Sequence, residues 1–448
     1  MTTLVLFASL FVFIALSVPI GIAIGLSTLI TAMFFTDGIP VMTLTQKVFT
    51  SLDSFPIMAI PFFMMAGILM GKGGVSKRLL DFAGSLVGFI MGGLAMVTVL
   101  TCMFFAAISG SGPATVAAIG SFMIPAMDKE KYGRGFAAAI TASAGAIGVI
   151  IPPSIPFVLY GVVGSVSIGS LFLAGILPGI MIGVSLMIVS YFIIKRKAQK
   201  AASTVSKESI ALNETSAAIE QIKAKRIDFK HVLKTFYEAK WALLTPVIIL
   251  GGIYGSIFTP TESAAVAIIY GLIVGMFIHK ELSWRDIYDS ALETIQVVGA
   301  TLYMIGLSIA FAYVLNIEQI PQQIADFILG FSTNVYIVLF LIILFLLVVG
   351  AFLDTIAALV ILTPILLPIV TQVGVDPVHF GVILVTALAI GFITPPVGVN
   401  LFVASAIGNI SIERIAAAAI PLFVVMLFIL FLISYIPFFS TFLPSLAS

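Results

Sequence analysis

The sequence predicts an all-α polytopic membrane protein built from two related halves. Of its 448 residues, 61% are hydrophobic and only 9% charged, against roughly 25% charged in a soluble domain. Apolar stretches recur along the whole length, and a helix needs about 20 residues to cross a bilayer. Landmarks of the first half also return in the second. Pro125 recurs as Pro368, 243 positions on, and the same spacing joins Gly148 to Gly391, Pro152-Pro153 to Pro395-Pro396, and Pro178 to Pro421. No gap is needed between these points, and seven of the ten residues in Ala144–Pro153 match Ala387–Pro396.

Taken in order, the apolar stretches fall at 4–35, 55–71, 79–107, 113–127, 136–160, 162–194, 241–258, 262–279, 288–316, 333–352, 356–373, 379–407 and 414–440. The first has no basic leader and outruns a signal-peptide core, so it reads as a resident membrane segment, bent or broken near Pro19. The stretches 113–127 and 356–373 carry Pro125, Pro364 and Pro368. Their shortness predicts re-entrant hairpins or half-helices. Between the halves, 195–240 holds 11 of the 21 Lys and Arg against five acids. That excess of positive charge places it on the cytoplasmic side, as a basic linker with some polar helix. The domains are therefore 1–194, a first membrane repeat, 195–240, the linker, and 241–448, a second membrane repeat.

Composition also excludes functions. A single cysteine, Cys102, rules out a disulfide framework, the three histidines form no ligand pair, and a net charge of +1 gives no reason to expect nucleic-acid binding. An intramembrane enzyme needs a Ser–His set or paired acids, and neither is legible, so the chain reads as a non-enzyme.

The phrases GAIGVIIPPSIP (Gly145–Pro156) and LAIGFITPPVGV (Leu388–Val399) put glycines and paired prolines where membrane helix is expected. Proline removes an N–H donor and clashes with the carbonyl four residues back. Carbonyls freed in hydrocarbon cost several kcal/mol each, roughly, unless they are buried in protein or line a polar cavity. They supply the hard oxygens a sodium ion needs, so two such breaks at matched positions read as two ion-holding devices. Each has a partner upstream. In the first half it is Ser109-Gly110-Ser111-Gly112-Pro113; in the second it contains Asp354 and Thr355. An ionisable residue such as Asp354 among apolar neighbours is a functional candidate by default. Thr394 offers a further oxygen, and Asn400 is placed to orient a polar substrate. Glu262 and Asp53 flank proline-containing apolar segments and read as interfacial caps or as packing against a partner, rather than as ion-coupling groups.

The pairs SGSGPATVAAIGSFMIP with GAIGVIIPPSIP, and GAFLDT with GFITPPVGVNLFVAS, together with TPTESAA at Thr259–Ala265, resemble the large membrane subunit of tripartite ATP-independent periplasmic (TRAP) transporters. The resemblance covers essentially the whole chain. It implies two inverted repeats with re-entrant helical hairpins, arranged as a scaffold and an elevator-type transport domain. It implies a multi-pass protein of the bacterial cell inner membrane, with a small four-helix membrane subunit and a periplasmic substrate-binding protein as partners. The cargo would be an organic acid anion, of the C4-dicarboxylate or sialic acid class, driven by sodium; the alternative is a stand-alone Na+- or H+-coupled carboxylate symporter of related fold. No Walker-type GxxxxGK[ST] sequence occurs. Carried over residue by residue, the resemblance implies at least two Na+ positions. The first uses Ser109 and Ser111 with carbonyls near Gly148, Ile151 and Pro153; the second uses Asp354 and Thr355 with carbonyls near Gly391 and Thr394. Substrate contact is expected from Ser111, Ser154, Asp354 and Asn400.

Overall fold

The computed structural model describes residues 2–36, 38–205 and 228–447, and it is all-helical over them. Eight helical stretches among the described residues are long and apolar enough to cross a membrane. The chain opens with α1 (Thr2–Ala15) and α2 (Ile20–Phe34), which pack on each other. The break falls where expected, at Pro19, and Ser17 beside it turns the chain at φ +60°. Next come α3 (Val41–Leu52), α4 (Ala59–Lys72), α5 (Val75–Val87), α6 (Gly93–Ser109), α7 (Gly112–Lys129), α8 (Arg134–Gly145), α9 (Ile155–Gly164) and α10 (Ile168–Val205). The later half contains α11 (Phe229–Tyr254), α12 (Pro260–Ile273), α13 (Trp284–Ile317), α14 (Ile320–Phe331), α15 (Val335–Phe352), α16 (Thr355–Gln372), α17 (Pro377–Gly391), α18 (Val399–Gly408), α19 (Ile412–Tyr435) and α20 (Phe438–Ala447).

The helix starts repeat the sequence spacing. Gly112 and Thr355 open α7 and α16, Arg134 and Pro377 open α8 and α17, and the next two pairs follow one residue out of step. The contacts are reciprocal as well: α7 packs on α18, and its counterpart α16 packs on α9, the counterpart of α18. Reciprocity of this kind is what a two-fold relation produces.

The stretch 356–373 is the 18-residue α16, which starts behind the Asp354 cap just after α15 ends, as expected of a hairpin arm; Pro364 and Pro368 lie inside it without breaking it, and Pro125 likewise lies inside α7. Buried neighbours hold these helices together, and membrane helices tolerate proline where such neighbours re-satisfy the backbone. Two expectations need correction. The stretch 79–107 splits into α5 and α6 around Gly88 and Gly92. Neither linker boundary is a break. Helix α10 runs through Lys195, Arg196 and Lys197 to Val205, and residue 240 lies within α11. At about 1.5 Å per residue a 38-residue helix exceeds the roughly 30 Å hydrocarbon core, so its charged end stands outside. The central part of the linker, 206–227, lies outside the described residues.

By their contacts the helices group into two bodies, one joining α1–α4 with α11–α13 and the other α6–α10 with α15–α20, and the two touch directly where α4 meets α6 and α9 and where α13 meets α16. Helices α5 and α14 are amphipathic and join the bodies, α5 packing on both α6 and α11. Within the second body α17 is buried on every side from His379 to Gly391, as expected of a helix that is apolar all round.

Glu262 is accounted for by local structure. Its carboxylate accepts from the Thr259 backbone N–H at 2.8 Å and the Thr259 hydroxyl at 2.9 Å, closing a capping box at the start of α12. Glutamine closes such a box equally well. Glu262→Gln should therefore leave transport and thermal stability at wild-type values; a collapse of uptake in a well-folded variant would instead assign Glu262 to ion coupling.

Candidate functional site

The first hairpin tip lies where α6 ends and α7 begins. Gly110 takes φ +61° there, which favours glycine, and a Cβ on it would stand 2.7 Å from the Pro153 carbonyl oxygen. The tip therefore touches the diproline loop at backbone level. One backbone bond, Ile155 N–H to Gly110 O at 3.3 Å, ties the two together. Oxygens then crowd together. The Thr115 hydroxyl donates to Ser111 O at 2.7 Å and lies 2.9 Å from the Ser109 hydroxyl, and Ser109 Oγ lies 3.4 Å from Ser111 O. Gly148 closes the other side. A Cβ there would come within 2.6 Å of both Ser111 O and Thr115 Oγ1, so only glycine lets this strip of backbone approach. Ser109 and Thr115 are buried. Ile151 turns its side chain toward Gly179 on α10.

Thr115 was not among the sequence candidates. Its signal was present: it stands one helical turn after Ser111, on the same face.

The second tip is related but different. Asp354 caps α16, its carboxylate accepting from the Ile356 N–H at 3.0 Å. Thr355 is buried, and its hydroxyl has no hydrogen-bond partner. An orphaned hydroxyl at this position fits a site that takes a cation, because such a group otherwise carries the full desolvation cost. The loop Gly391–Gly398 docks on α15 through Val397 N–H to Ala351 O at 3.1 Å, matching the tie in the first half. Thr394 Oγ1 donates to Ile390 O at 3.0 Å, and Thr394 N–H to Gly391 O at 3.0 Å. Both diproline bonds, Pro152-Pro153 and Pro395-Pro396, are cis.

Both tips face one cavity of about 1110 Å³. Its walls comprise Ser109, Gly110 and Ser111 from the first tip, Asp354 and Thr355 from the second, and the start of α2 with α4 and α13 from the opposite body. Of the four expected substrate contacts, Ser111 and Asp354 line this cavity. Ser154 and Asn400 are fully buried outside its lining. Ser154 caps α9, donating to Val149 O at 2.5 Å and accepting from the Phe157 N–H at 3.3 Å. Asn400 joins the halves. Its amide donates to Ala142 O at 3.0 Å, while its Oδ1 has no partner.

A Ser–His contact exists away from the cavity. His379 Nδ1 meets the Ser440 hydroxyl at 2.5 Å, and Nε2 faces Ser434 O at 3.2 Å. Both side chains are buried. Their role is to pin α20 to α17.

Residues 7–439 match the family described as tripartite ATP-independent periplasmic transporter, DctM component. The chain is 48% identical over 433 residues to an isethionate TRAP transporter permease protein DctMQ of Oleidesulfovibrio alaskensis, covering 97% of this chain but 65% of that relative's length. It is 39% identical to a C4-dicarboxylate TRAP transporter large permease protein DctM of Pseudomonas aeruginosa, over 94% of each chain. It is 37% identical to a sialic acid TRAP transporter large permease protein SiaM of Vibrio cholerae, over 95% of each. In fold it is similar to the crystal structure of the Alcanivorax borkumensis YdaH transporter, with TM-score 0.63, 14% identity and coverage of 95% and 98% of the two chains.

Proposed function

Because this chain belongs to the DctM component family of tripartite ATP-independent periplasmic transporters, we propose that it is the large permease of a sodium-coupled importer of a small organic anion. The observation carrying the sodium reading is the pair of oxygen-rich tips at matched repeat positions, one a Ser109–Ser111–Thr115 cluster and the other holding an orphaned Thr355 hydroxyl. The residues suited to hold the ions are Ser109, Ser111 and Thr115 with the backbone around Gly148 and Pro153, and Asp354 and Thr355 with the backbone around Gly391 and Thr394. Sodium bound there supplies positive charge beside a cavity whose tips otherwise carry one acid, so an anion and its coupling ions enter together.

The division into two packed bodies joined by α5 and α14 supports an elevator movement, in which the tip-bearing body slides against the other. The repeats are inverted in this reading, and the chain sits in the bacterial inner membrane. A small four-helix membrane subunit braces it, and a periplasmic binding protein delivers the anion. Isethionate comes first among cargoes to test, ahead of C4-dicarboxylates and sialic acid, from the order of identities of 48%, 39% and 37%.

The test is co-reconstitution with both partner proteins, scanning these acids under an imposed sodium gradient without ATP. Uptake is expected only with inward sodium and binding protein together. Uptake indifferent to sodium overturns the coupling, and uptake that needs no binding protein favours the stand-alone symporter. In the same assay Thr115→Val should raise the half-saturating sodium concentration about tenfold, the loss of one charge-assisted contact, with maximal rate largely retained.

A further inference from the structure

Asp354 and sodium account for cations at the tips; neither explains what receives the negative charge of the cargo elsewhere in the cavity. Among the lining residues there is one cationic side chain, Lys72, on the last turn of α4. It faces Glu293 of α13 at 3.3 Å, and Glu293 lines the same cavity. Their side chains are 35% and 53% exposed, so the pair is loosely held and reachable by solute. Exposed pairs of this kind contribute little net stability. A lysine at a helix C-terminus is ordinary. An acid opposite it inside an anion-carrying cavity is not explained by the helix end.

Topology assigns the side. The basic linker between α10 and α11 is cytoplasmic. Helices α11 and α12 each lie in a stretch able to cross, so two crossings bring the chain at His279–Ser283 back to the linker's side. That turn is fastened to the end of α4: His279 Nδ1 lies 2.8 Å from Gly73 O, and Arg78 pairs with Glu281 at 2.8 Å. Lys72, next to Gly73, therefore stands at the cytoplasmic mouth.

We propose that Lys72 is an anion-receiving site at this mouth, taking the carboxylate or sulfonate of the cargo in exchange for Glu293 as it leaves the hairpin tips for the cytoplasm. The exchange swaps one anionic partner for another, so it leaves no buried charge unpaired. Lys72 belongs to the body that does not carry the tips, so it meets the cargo only when the cavity opens inward. The inference rests on the organic-anion reading above.

The test uses right-side-out membrane vesicles containing the chain and its membrane partner. They are loaded with graded unlabelled isethionate or succinate and exchanged against labelled anion presented outside by the binding protein. Lys72→Gln should raise the half-saturating internal anion concentration about tenfold or more and leave the external value unchanged. Lys72→Arg should keep the internal value, and Glu293→Gln should lower it by removing the competitor. A merely structural ion pair would depress maximal exchange from both sides without shifting one side's half-saturation. An unchanged internal value in Lys72→Gln, or equal shifts on both sides, overturns the proposal while leaving the transport reading intact. Wild-type protein that takes up none of the candidate anions under an inward sodium gradient overturns the transport reading and this proposal with it.

Discussion

Asp354→Asn should reduce sodium-driven uptake by about 100-fold or more, while the protein inserts and melts as the wild type does. The size follows from the role. Losing even an outer-shell partner of a bound ion typically costs roughly 10–100-fold, and the sodium reading proposed above makes Asp354 a direct charged neighbour of the second ion. Asparagine is chosen because Asp354 does two jobs. It caps α16 through the Ile356 N–H at 3.0 Å, and Asn and Asp are about equal as caps. The substitution therefore removes charge and keeps the helix start. Asp354→Ala removes both and should add a stability loss of about 1 kcal/mol. The measurement is uptake against sodium concentration, paired with a thermal midpoint in detergent. Wild-type uptake and sodium dependence in Asp354→Asn would remove this residue from the second site.

The second large effect is steric. A Cβ on Gly391 would stand 2.3 Å from Gly350 O and 2.6 Å from Gly350 Cα. Both obstacles are backbone, so no rotamer change relieves the clash. Helices α15 and α17 cross there with no side chain between them, and the contact aims the second diproline loop at its tip. Gly391→Ala must separate the helices, and overpacking a close-packed interior costs about 1–3 kcal/mol, with larger values where backbone must move. We expect a markedly lowered thermal midpoint and poor yield. Gly299 is the control: it lies within α13, with nothing within 4 Å of its added Cβ. Gly299→Ala should be neutral or stabilising by about 0.4–1 kcal/mol. Equal stability of the two variants would show that the close crossing is not what holds this region.

Much of the site could be read from the chain because the relevant signals are local. Paired prolines with glycine cannot continue a helix wherever they occur, so the breaks after Gly145 and Gly391 follow from residue chemistry alone. The matched spacing then relates the two breaks without any knowledge of contacts. Capping is local in the same way: Asp354 is the N-cap of α16, and Glu262, the third residue of α12, closes the box with its cap Thr259. The internal prolines show the limit of this logic. Pro364 and Pro368 are single prolines four residues apart, without the adjacent proline and glycine of the diproline loops, and α16 continues through them. Whether a lone proline breaks a helix is decided by the neighbours that re-satisfy the freed carbonyl, which a local reading does not contain.

The sequence by itself determined the class: an all-helical chain for lipid, in two halves, with broken backbone and hydroxyls or an acid at corresponding places. These follow from composition and from the short-range geometry of proline, glycine and capping groups. Only the tertiary structure decided which groups share a space. Lys72 and Glu293 are 3.3 Å apart, and Asn400 reaches Ala142 across the two halves. It also put both tips on one cavity and left Ser154 and Asn400 out of its lining. The physical reason is range: backbone preference acts over a few neighbouring residues, whereas a cavity is assembled by packing between segments hundreds of positions apart.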